Sequence, residues 1–224
     1  MIISILTLFP KIYKNILSYS ILGRAVKKKL VKFSVIDIRN FATDKRKSVD
    51  DKPYGGGVGM LLRLDVVERA IASSKFKVQS SKLREKIVLL DPAAKIFTQV
   101  KARQYSKLDH LILICGHYEG IDSRIYHFID ESVSIGEYIL TGGEMASAVI
   151  TEAVTRLIPG VLNKKEATSN ECFTIGNYIE DSQYTRPPVY KGLKVPKVLL
   201  SGNHEAIALW KKEQSFLRSK KLFK

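Results

Sequence analysis

Residues 111–143 constrain the fold of this chain more than any other stretch, because two apolar runs there end in glycine-rich turns. Leu111 to Cys115 is a short, unbroken apolar run followed by Gly116, which is typical of a strand buried on both faces of a parallel sheet. The second run, Val133 to Leu140, predicts another strand that ends in Thr141-Gly142-Gly143. Neighbouring strand ends with glycine-rich exits suit a nucleotide-like ligand, since a backbone without Cβ atoms can approach it closely.

The remaining apolar patterns alternate between strand and helix, which predicts an α/β fold with a mainly parallel sheet covered on both faces. The other predicted strands are Ile2 to Leu8, Phe33 to Ile38 and Ile87 to Leu90. The predicted helices are Ile12 to Val26, Leu64 to Ser74, Phe97 to Leu108, a short one near Ser123 to Ile129, and Glu144 to Leu157. A chain of 224 residues is long enough for one full core and a small appendage.

The C-terminal quarter differs in character from the rest. Residues 163–188 are polar and lack apolar periodicity, which indicates a linker or loop. Beyond it, Asn203 is a candidate N-cap, and Ile207, Trp210 and Leu217 recur at helical spacing. We therefore expect a small basic helical module at this end.

The charge balance is the most informative part of the composition. Lys and Arg outnumber Asp and Glu by 37 to 22, which gives a formal charge of +15. Such a surplus favours a polyanionic partner, most often nucleic acid, although a solvated lysine-rich surface is the alternative. No apolar run approaches the roughly 20 residues needed to span a membrane. The two cysteines, Cys115 and Cys172, do not suggest a disulfide framework, and we expect a cytoplasmic protein.

A glycine-rich loop lies between the second predicted strand and the next helix. The polar stretch Asn40 to Lys52 runs into Pro53-Tyr54-Gly55-Gly56-Gly57-Val58-Gly59-Met60. Its basic flank, which includes Lys45 and Arg46, favours a ligand that carries phosphate. The loop lacks the Gly-Lys-Ser/Thr ending of a P-loop, so hydrolysis of a nucleoside triphosphate is excluded at this site.

Five segments together resemble the bacterial tRNA (guanine-N1)-methyltransferases of the knotted SPOUT class. They are Asp50-Asp51-x-Pro-Tyr-Gly-Gly-Gly-x-Gly-Met60, Cys115-Gly-x-Tyr-Glu-Gly-Ile-Asp-x-Arg124, Ser134-Ile-Gly-x-Tyr-x-Leu-Thr-Gly-Gly-Glu144, Arg156-x-Ile-Pro-Gly-Val-Leu162 and Tyr184-Thr-Arg-Pro187. Their order and spacing extend over nearly the whole chain. One such segment alone would be a weak signal.

The resemblance implies a SPOUT-type α/β knot, in which a parallel sheet contains a deep trefoil knot, plus a small C-terminal helical domain. It implies a knotted catalytic domain over residues 1–160 that binds S-adenosylmethionine, a linker over 161–180 that carries the base, and a helical tRNA-binding domain over 181–224. It also implies a homodimer whose active site is shared between subunits. The substrate would be N1 of the guanosine immediately 3′ of the tRNA anticodon.

Guanine N1 carries a proton at neutral pH, so methyl transfer to it needs a base, and the charge that develops on O6 needs a cation or donor. The resemblance assigns the cation to Arg156. It assigns the base to Glu171, because the Asp-Ser-Phe-x-x-Gly pattern of the family corresponds here to residues 171–176. The acidic tripeptide Glu180-Asp181-Ser182 is an alternative match that lies too close to Tyr184. The family also suggests Mg²⁺ as an aid to proton removal, although the sequence contains no dedicated metal-binding motif.

The remaining expected contacts follow from the same resemblance. The residues expected to bind S-adenosylmethionine are Leu90, Asp91, Pro92, Gly116, Tyr118, Glu119, Gly120, Ser134, Ile135, Gly136, Tyr138, Leu140, Gly142 and Gly143. Those expected to bind tRNA are Lys45, Arg46, Gly57, Gly59, Arg186, Lys211 and Lys212. Asp91-Pro92-Ala93-Ala94 departs from the usual Ser-Pro-Gln-Gly of the family. Two alternatives stay open, a knotted methyltransferase of ribosomal RNA and a basic RNA-binding relative with impaired catalysis.

Overall fold

The computed structural model describes residues 1–75, 83–163, 168–169, 171–174, 176 and 178–222. Parts of the predicted linker, including Ile175 of the motif at 171–176, lie outside the described residues, as does Lys224. The chain divides into two compact units, Met1–Asn163 and Lys164–Lys224. None of the described helices is both long and apolar enough to cross a membrane.

The first unit is built on a five-stranded parallel sheet with the strand order β2-β1-β6-β5-β7. The strands of this unit are β1 (Ile2–Thr7), β2 (Lys32–Asp37), β3 (Asp50–Asp51), β4 (Leu61–Leu62), β5 (Glu85–Leu90), β6 (His110–Cys115) and β7 (Glu131–Val133). The short strands β3 and β4 form a separate antiparallel pair. The predicted α/β fold with a parallel sheet is thus confirmed.

The core lies on both faces of the sheet, because the apolar strands send alternate side chains to opposite sides. The helices of this unit are α1 (Tyr13–Ile16), α2 (Ser20–Lys27), α3 (Leu64–Ser74), α4 (Gln99–Tyr105) and α5 (Glu144–Thr155). Ile3, Leu111 and Leu113 pack with buried residues of α1, α2, α4 and α5. Leu6 and Ile112 pack with α3 on the other face.

The predicted helix from Ile12 to Val26 is interrupted. A 3₁₀ turn at Pro10–Ile12 leads into α1, and a second helix begins only at Ser20, whose φ is +49°. Gly23 permits this break, since a Cβ there would lie 2.1 Å from the carbonyl oxygen of Ser18.

The second apolar run forms a strand only as far as Val133, so the predicted strand to Leu140 is wrong beyond that point. The register pairs Val133 with Leu90, the last residue of β5, and among the described residues the ladder between these two strands ends there. Ser134 forms a single parallel bridge with Ile96, and its Oγ lies 2.9 Å from the carbonyl oxygen of Gly136 in its own segment. Ile139 is 81% exposed, so this stretch is an irregular segment at the rim of the sheet. The helix predicted near Ser123 to Ile129 is a 3₁₀ turn over Ser123–His127.

The described part of the second unit contains a small antiparallel hairpin and one long helix. The hairpin pairs β8 (Val189–Tyr190) with β9 (Leu193–Lys194), and the helix is α6 (His204–Leu222). Asn203 caps α6 as predicted, because its Oδ1 accepts a 3.1 Å hydrogen bond from the Ala206 N–H. The hairpin was not predicted from the sequence.

Candidate active site

A cavity of about 440 Å³ lies at the carboxyl ends of β5, β6 and β7. This is the size of a small-molecule site and the place where parallel sheets bind ligands. Every residue that the sequence predicted to bind S-adenosylmethionine lines it. Sequence reasoning missed other lining residues, among them His117, Ile121, Ser123, Tyr126 and Thr141. Several of these directly neighbour predicted residues in the chain, whereas Tyr126 carries no motif signal.

The back of the cavity is formed where the segment before α5 packs against the loop after β6. The Gly143 N–H donates a 2.8 Å hydrogen bond to the Gly116 carbonyl, and His117 and Gly142 form an antiparallel bridge. A Cβ at Gly143 would lie 2.8 Å from the Cα of Cys115, and one at Gly142 would lie 2.4 Å from His117 Nδ1. Gly143 is therefore required by the close approach of the two backbones, whereas a side chain at Gly142 would collide with the side chains of His117 and Glu144.

A buried polar cluster supports this junction from beneath. Glu144, only 6% exposed, is the first residue of α5, where the helix dipole favours a carboxylate. Its Oε1 accepts a 2.7 Å hydrogen bond from the Thr7 hydroxyl, and the Tyr13 hydroxyl lies 2.6 Å from Ser147 Oγ. Burial raises the pKa of Tyr13, which keeps the phenol neutral. The cluster ties β1, α1 and α5 together directly below the cavity.

Cys115 belongs to the core beside this cluster. Burial raises the pKa of its thiol to about 12, although a hydrogen bond with Tyr13 opposes the shift. The thiol therefore remains protonated at neutral pH and is a poor nucleophile. Neither Cys115 nor Cys172 takes part in a disulfide.

The glycine-rich loop packs beside the loop that follows β6. The Glu119 N–H donates to the Met60 carbonyl at 3.1 Å, and the Leu62 N–H donates to the Gly120 carbonyl at 2.9 Å. A Cβ at Gly59 would lie 2.4 Å from Glu119 Cγ. Tyr54 in the same loop is fully exposed. The end of the loop, from Gly59 to Leu62, therefore lies beside Glu119 and Gly120 in one wall of the cavity.

Two hydrogen-bonded carboxylates are associated with the cavity. Asp91 lines it, and Asp122 lies between the lining residues Ile121 and Ser123. Asp122 receives hydrogen bonds from the Arg124 side chain and backbone, which lower the pKa of this carboxyl to about 2. Asp91 accepts a hydrogen bond from the Tyr126 hydroxyl, and this bond together with partial burial raises the pKa of Tyr126 to about 12. Both carboxylates are thereby held in fixed orientations.

The residues predicted to be catalytic belong to different compact units. Arg156 directly follows α5, is half-buried, and donates its backbone N–H to the Glu152 carbonyl at 3.1 Å. Glu171 is half-buried in the second unit, and its carbonyl accepts a 3.1 Å bond from the Thr174 N–H. The segment that follows is attached to α6 at Ile179. The Ile179 N–H donates a hydrogen bond to the Ser219 hydroxyl, and the Ile179 carbonyl accepts one from the Ser215 hydroxyl.

The residues predicted to bind tRNA lie in exposed positions of both units. In the first unit they are Lys45, Arg46, Gly57 and Gly59; in the second they are Arg186, Lys211 and Lys212. Asp44 orders the turn at Lys45, since its carboxylate accepts bonds from the backbone of Arg46 and Ser48. Among the described residues, no group of three or more His, Cys, Asp or Glu side chains is placed to hold a metal ion.

Comparison with known proteins gives a consistent result over the whole chain. The family model described as tRNA (Guanine-1)-methyltransferase TrmD matches residues 1–223. A tRNA (guanine-N(1)-)-methyltransferase of Caldanaerobacter subterraneus subsp. tengcongensis is 49% identical over 215 residues, which cover 96% of this chain and 87% of that protein. Proteins of the same name from Ehrlichia canis and Clostridium tetani are 46% and 48% identical over 219 residues, covering 97% and 98% of this chain and 92% and 89% of theirs. The chain belongs to the tRNA (guanine-1)-methyltransferase family.

Proposed function

We propose that this protein transfers a methyl group from S-adenosylmethionine to N1 of the guanosine immediately 3′ of the tRNA anticodon. The observation that carries the proposal is a family match over residues 1–223, two of whose motif segments, 115–124 and 134–144, supply most of the lining of one cavity at the carboxyl ends of a parallel sheet. The reaction is proposed for the cytoplasm, in keeping with two cysteines that form no disulfide.

The residues of the cavity fit S-adenosylmethionine. A Cβ at Gly120 would meet no atom within 4 Å, and one at Gly116 would meet only the Leu90 carbonyl at 3.6 Å, so both glycines leave room beside the cavity wall. Leu90, Ile135 and Leu140 supply apolar surface for a purine, and Glu119 supplies negative charge for a cationic ligand. When bound, S-adenosylmethionine supplies an electrophilic methyl group on a sulfonium.

Two side chains carry the proposed chemistry on the guanine. Glu171 accepts the proton from N1, which turns a poor nucleophile into a competent one. Arg156 donates hydrogen bonds to O6, where negative charge develops as the proton leaves. A glutamate at the position of the usual aspartate is one methylene longer, and it has the same capacity to accept a proton.

The trefoil knot and the homodimer belong to the same proposal. Knotting is supported by segment 134–143, which lies between two loops: Ser134 bonds Lys95 at 3.0 Å and Phe97 at 2.7 Å, and Gly143 bonds Gly116. A homodimer is supported by exposed apolar side chains at Met145 and Val149, which are one turn apart on α5. In a dimer with a shared site, Glu171 and Arg156 act on the same guanine.

We propose that tRNA binding depends on the positive charge of the chain and extends over both units. The formal charge of +15 and the exposed positions of Lys45 and Arg46 suit contacts with phosphates. The linker over 161–180 carries the base, and the region over 181–224 binds tRNA through Arg186 and the lysines of α6.

A methyl-transfer assay tests the proposed function. Radiolabelled S-adenosylmethionine is incubated with a tRNA transcript that has guanosine next to the anticodon, and with a matched transcript that has adenosine there. A series of Mg²⁺ concentrations tests the role of the metal in the same assay. We expect label only in the guanosine transcript. Label in both transcripts, in neither, or only in ribosomal RNA would contradict the proposal.

The assignment of the base is tested with matched amide variants in one segment. We expect Glu171→Gln to lower kcat by about 10²–10⁴-fold, since it removes the proton acceptor, while binding of S-adenosylhomocysteine is unchanged. Asp181→Asn is the control, because the Asp181 carboxylate makes only a local 3.3 Å contact with Gln183 among the described hydrogen bonds. Loss of activity in the Asp181 variant together with full activity in the Glu171 variant would reverse the assignment.

A further inference from the structure

A hydrogen bond between two distant parts of the chain joins two walls of the cavity. Asp91 directly follows β5, and Tyr126 lies in the 3₁₀ turn Ser123–His127. The Tyr126 hydroxyl donates to Asp91 Oδ2, and both residues line the cavity. The two residues are separated by 35 positions in the sequence, and no motif of the chain links them.

Three hydrogen bonds hold Asp91 in place, two through its carboxylate and one through its backbone N–H. Its Oδ1 accepts a 2.9 Å hydrogen bond from the Ala93 N–H, and its own backbone N–H donates to the Val133 carbonyl at 3.1 Å. With the bond from Tyr126, each carboxylate oxygen has one described donor. A carboxylate offers about four acceptor positions, so about two remain for other donors.

The pair therefore presents only hydrogen-bond acceptors to a ligand. Both carboxylate oxygens of Asp91 accept hydrogen bonds, and the proton of the Tyr126 hydroxyl is directed at Asp91. A ligand group that matches two neighbouring acceptors must carry two donors close together. Vicinal hydroxyl groups meet this requirement, and an acidic residue near the end of a parallel strand is a general means of binding ribose.

We propose that the side-chain carboxylate of Asp91 binds the ribose diol of the adenosyl ligand, and that Tyr126 is a positioning residue that fixes this carboxylate. This inference rests on the proposed function, since it requires an adenosyl ligand in the cavity. Glu119, the other carboxylate that lines the cavity, is exposed and has a longer side chain, which suits the cationic part of the same ligand. The assignment gives a role to the Asp91-Pro92-Ala93-Ala94 sequence, which departs from the family pattern.

Calorimetric titration with S-adenosylhomocysteine and its 2′-deoxy and 3′-deoxy forms tests the inference. In the native chain, we expect loss of either hydroxyl to weaken binding by about 10- to 100-fold, because a charged acceptor loses its donor. Asp91→Asn and Asp91→Ala should bind S-adenosylhomocysteine more weakly than the native chain does. For each of these variants, the Kd of a deoxy form should exceed the Kd of S-adenosylhomocysteine by less than about twofold. For Tyr126→Phe, removal of a ribose hydroxyl should still weaken binding, but by a smaller factor than in the native chain. A purely structural role of Tyr126 would not change this factor.

The outcomes separate the inference from the proposed function on which it rests. A native chain that binds S-adenosylhomocysteine and its deoxy forms equally well overturns the role of Asp91 alone. The same conclusion follows if the hydroxyl dependence of the Asp91 variants equals that of the native chain. A native chain that does not bind S-adenosylhomocysteine overturns both proposals.

Discussion

Replacement of Gly143 by alanine tests whether the junction behind the cavity is held by close backbone packing. Gly143 has φ −76° and ψ −1°, which alanine adopts without strain, so the effect isolates the steric contact. The added Cβ would lie 2.8 Å from Cys115 Cα and 3.1 Å from the Gly116 nitrogen. Both are backbone atoms of a buried strand and its exit, which cannot rotate away as a flexible side chain would.

The expected loss of stability has two parts. Overpacking of a well-packed interior costs about 1–3 kcal/mol. Separation of the backbones also weakens the 2.8 Å hydrogen bond from Gly143 to Gly116, which contributes about 1 kcal/mol. We therefore expect a total loss of about 2–4 kcal/mol, which corresponds to a decrease in Tm of about 4–16 °C for a chain of this size. Thermal unfolding followed by circular dichroism measures the shift.

Gly116→Ala is the matched control for this variant. A Cβ at Gly116 would have only the Leu90 carbonyl within 4 Å, at the ordinary contact distance of 3.6 Å. We expect its Tm to lie within about 2 °C of the native value, while binding of S-adenosylhomocysteine weakens because the methyl group enters the cavity. If Gly143→Ala unfolded at the same temperature as the native chain, the packing argument would be wrong.

Two further predictions concern charge. Replacement of Lys211 and Lys212 together by alanine should weaken tRNA binding about equally for all tRNAs. It should also reduce the slope of log Kd against log salt concentration by about 2. Filter-binding titrations measure this slope, and an unchanged slope would show that these lysines do not contact phosphates. Asp122 has a folded-state pKa of about 2 against an unfolded value of about 3.9, so the stability it contributes is present above about pH 4 and is lost as the pH falls through about 2. The difference in urea midpoint between the native chain and Asp122→Asn should therefore shrink as the pH falls over that interval. A difference that stays constant from pH 5 to pH 2 would contradict the stabilising role of the bond between Asp122 and Arg124.

The sequence alone determined the parallel sheet and most of its helices. Unbroken apolar runs such as Leu111 to Cys115 become strands buried on both faces, and the amphipathic pattern of Leu64–Ser74 becomes a helix with these same bounds. The resemblance to the family predicted which residues line the cavity. The carboxyl ends of parallel strands meet at one edge, so the loops after β5, β6 and β7 must converge there.

Only the tertiary structure decided where the second apolar run stops being a strand. Its composition favours a strand as far as Leu140, but a strand needs a neighbour to bond with, and after β5 ends at Leu90 only a single bridge from Ile96 to Ser134 follows among the described residues. The bond between Asp91 and Tyr126 was decided in the same way. Both residues are ordinary surface types in the sequence, and they meet only because the chain brings two loops to one side of the sheet. Local pattern encodes periodicity and turns, whereas pairing between distant residues depends on the folded path of the whole chain.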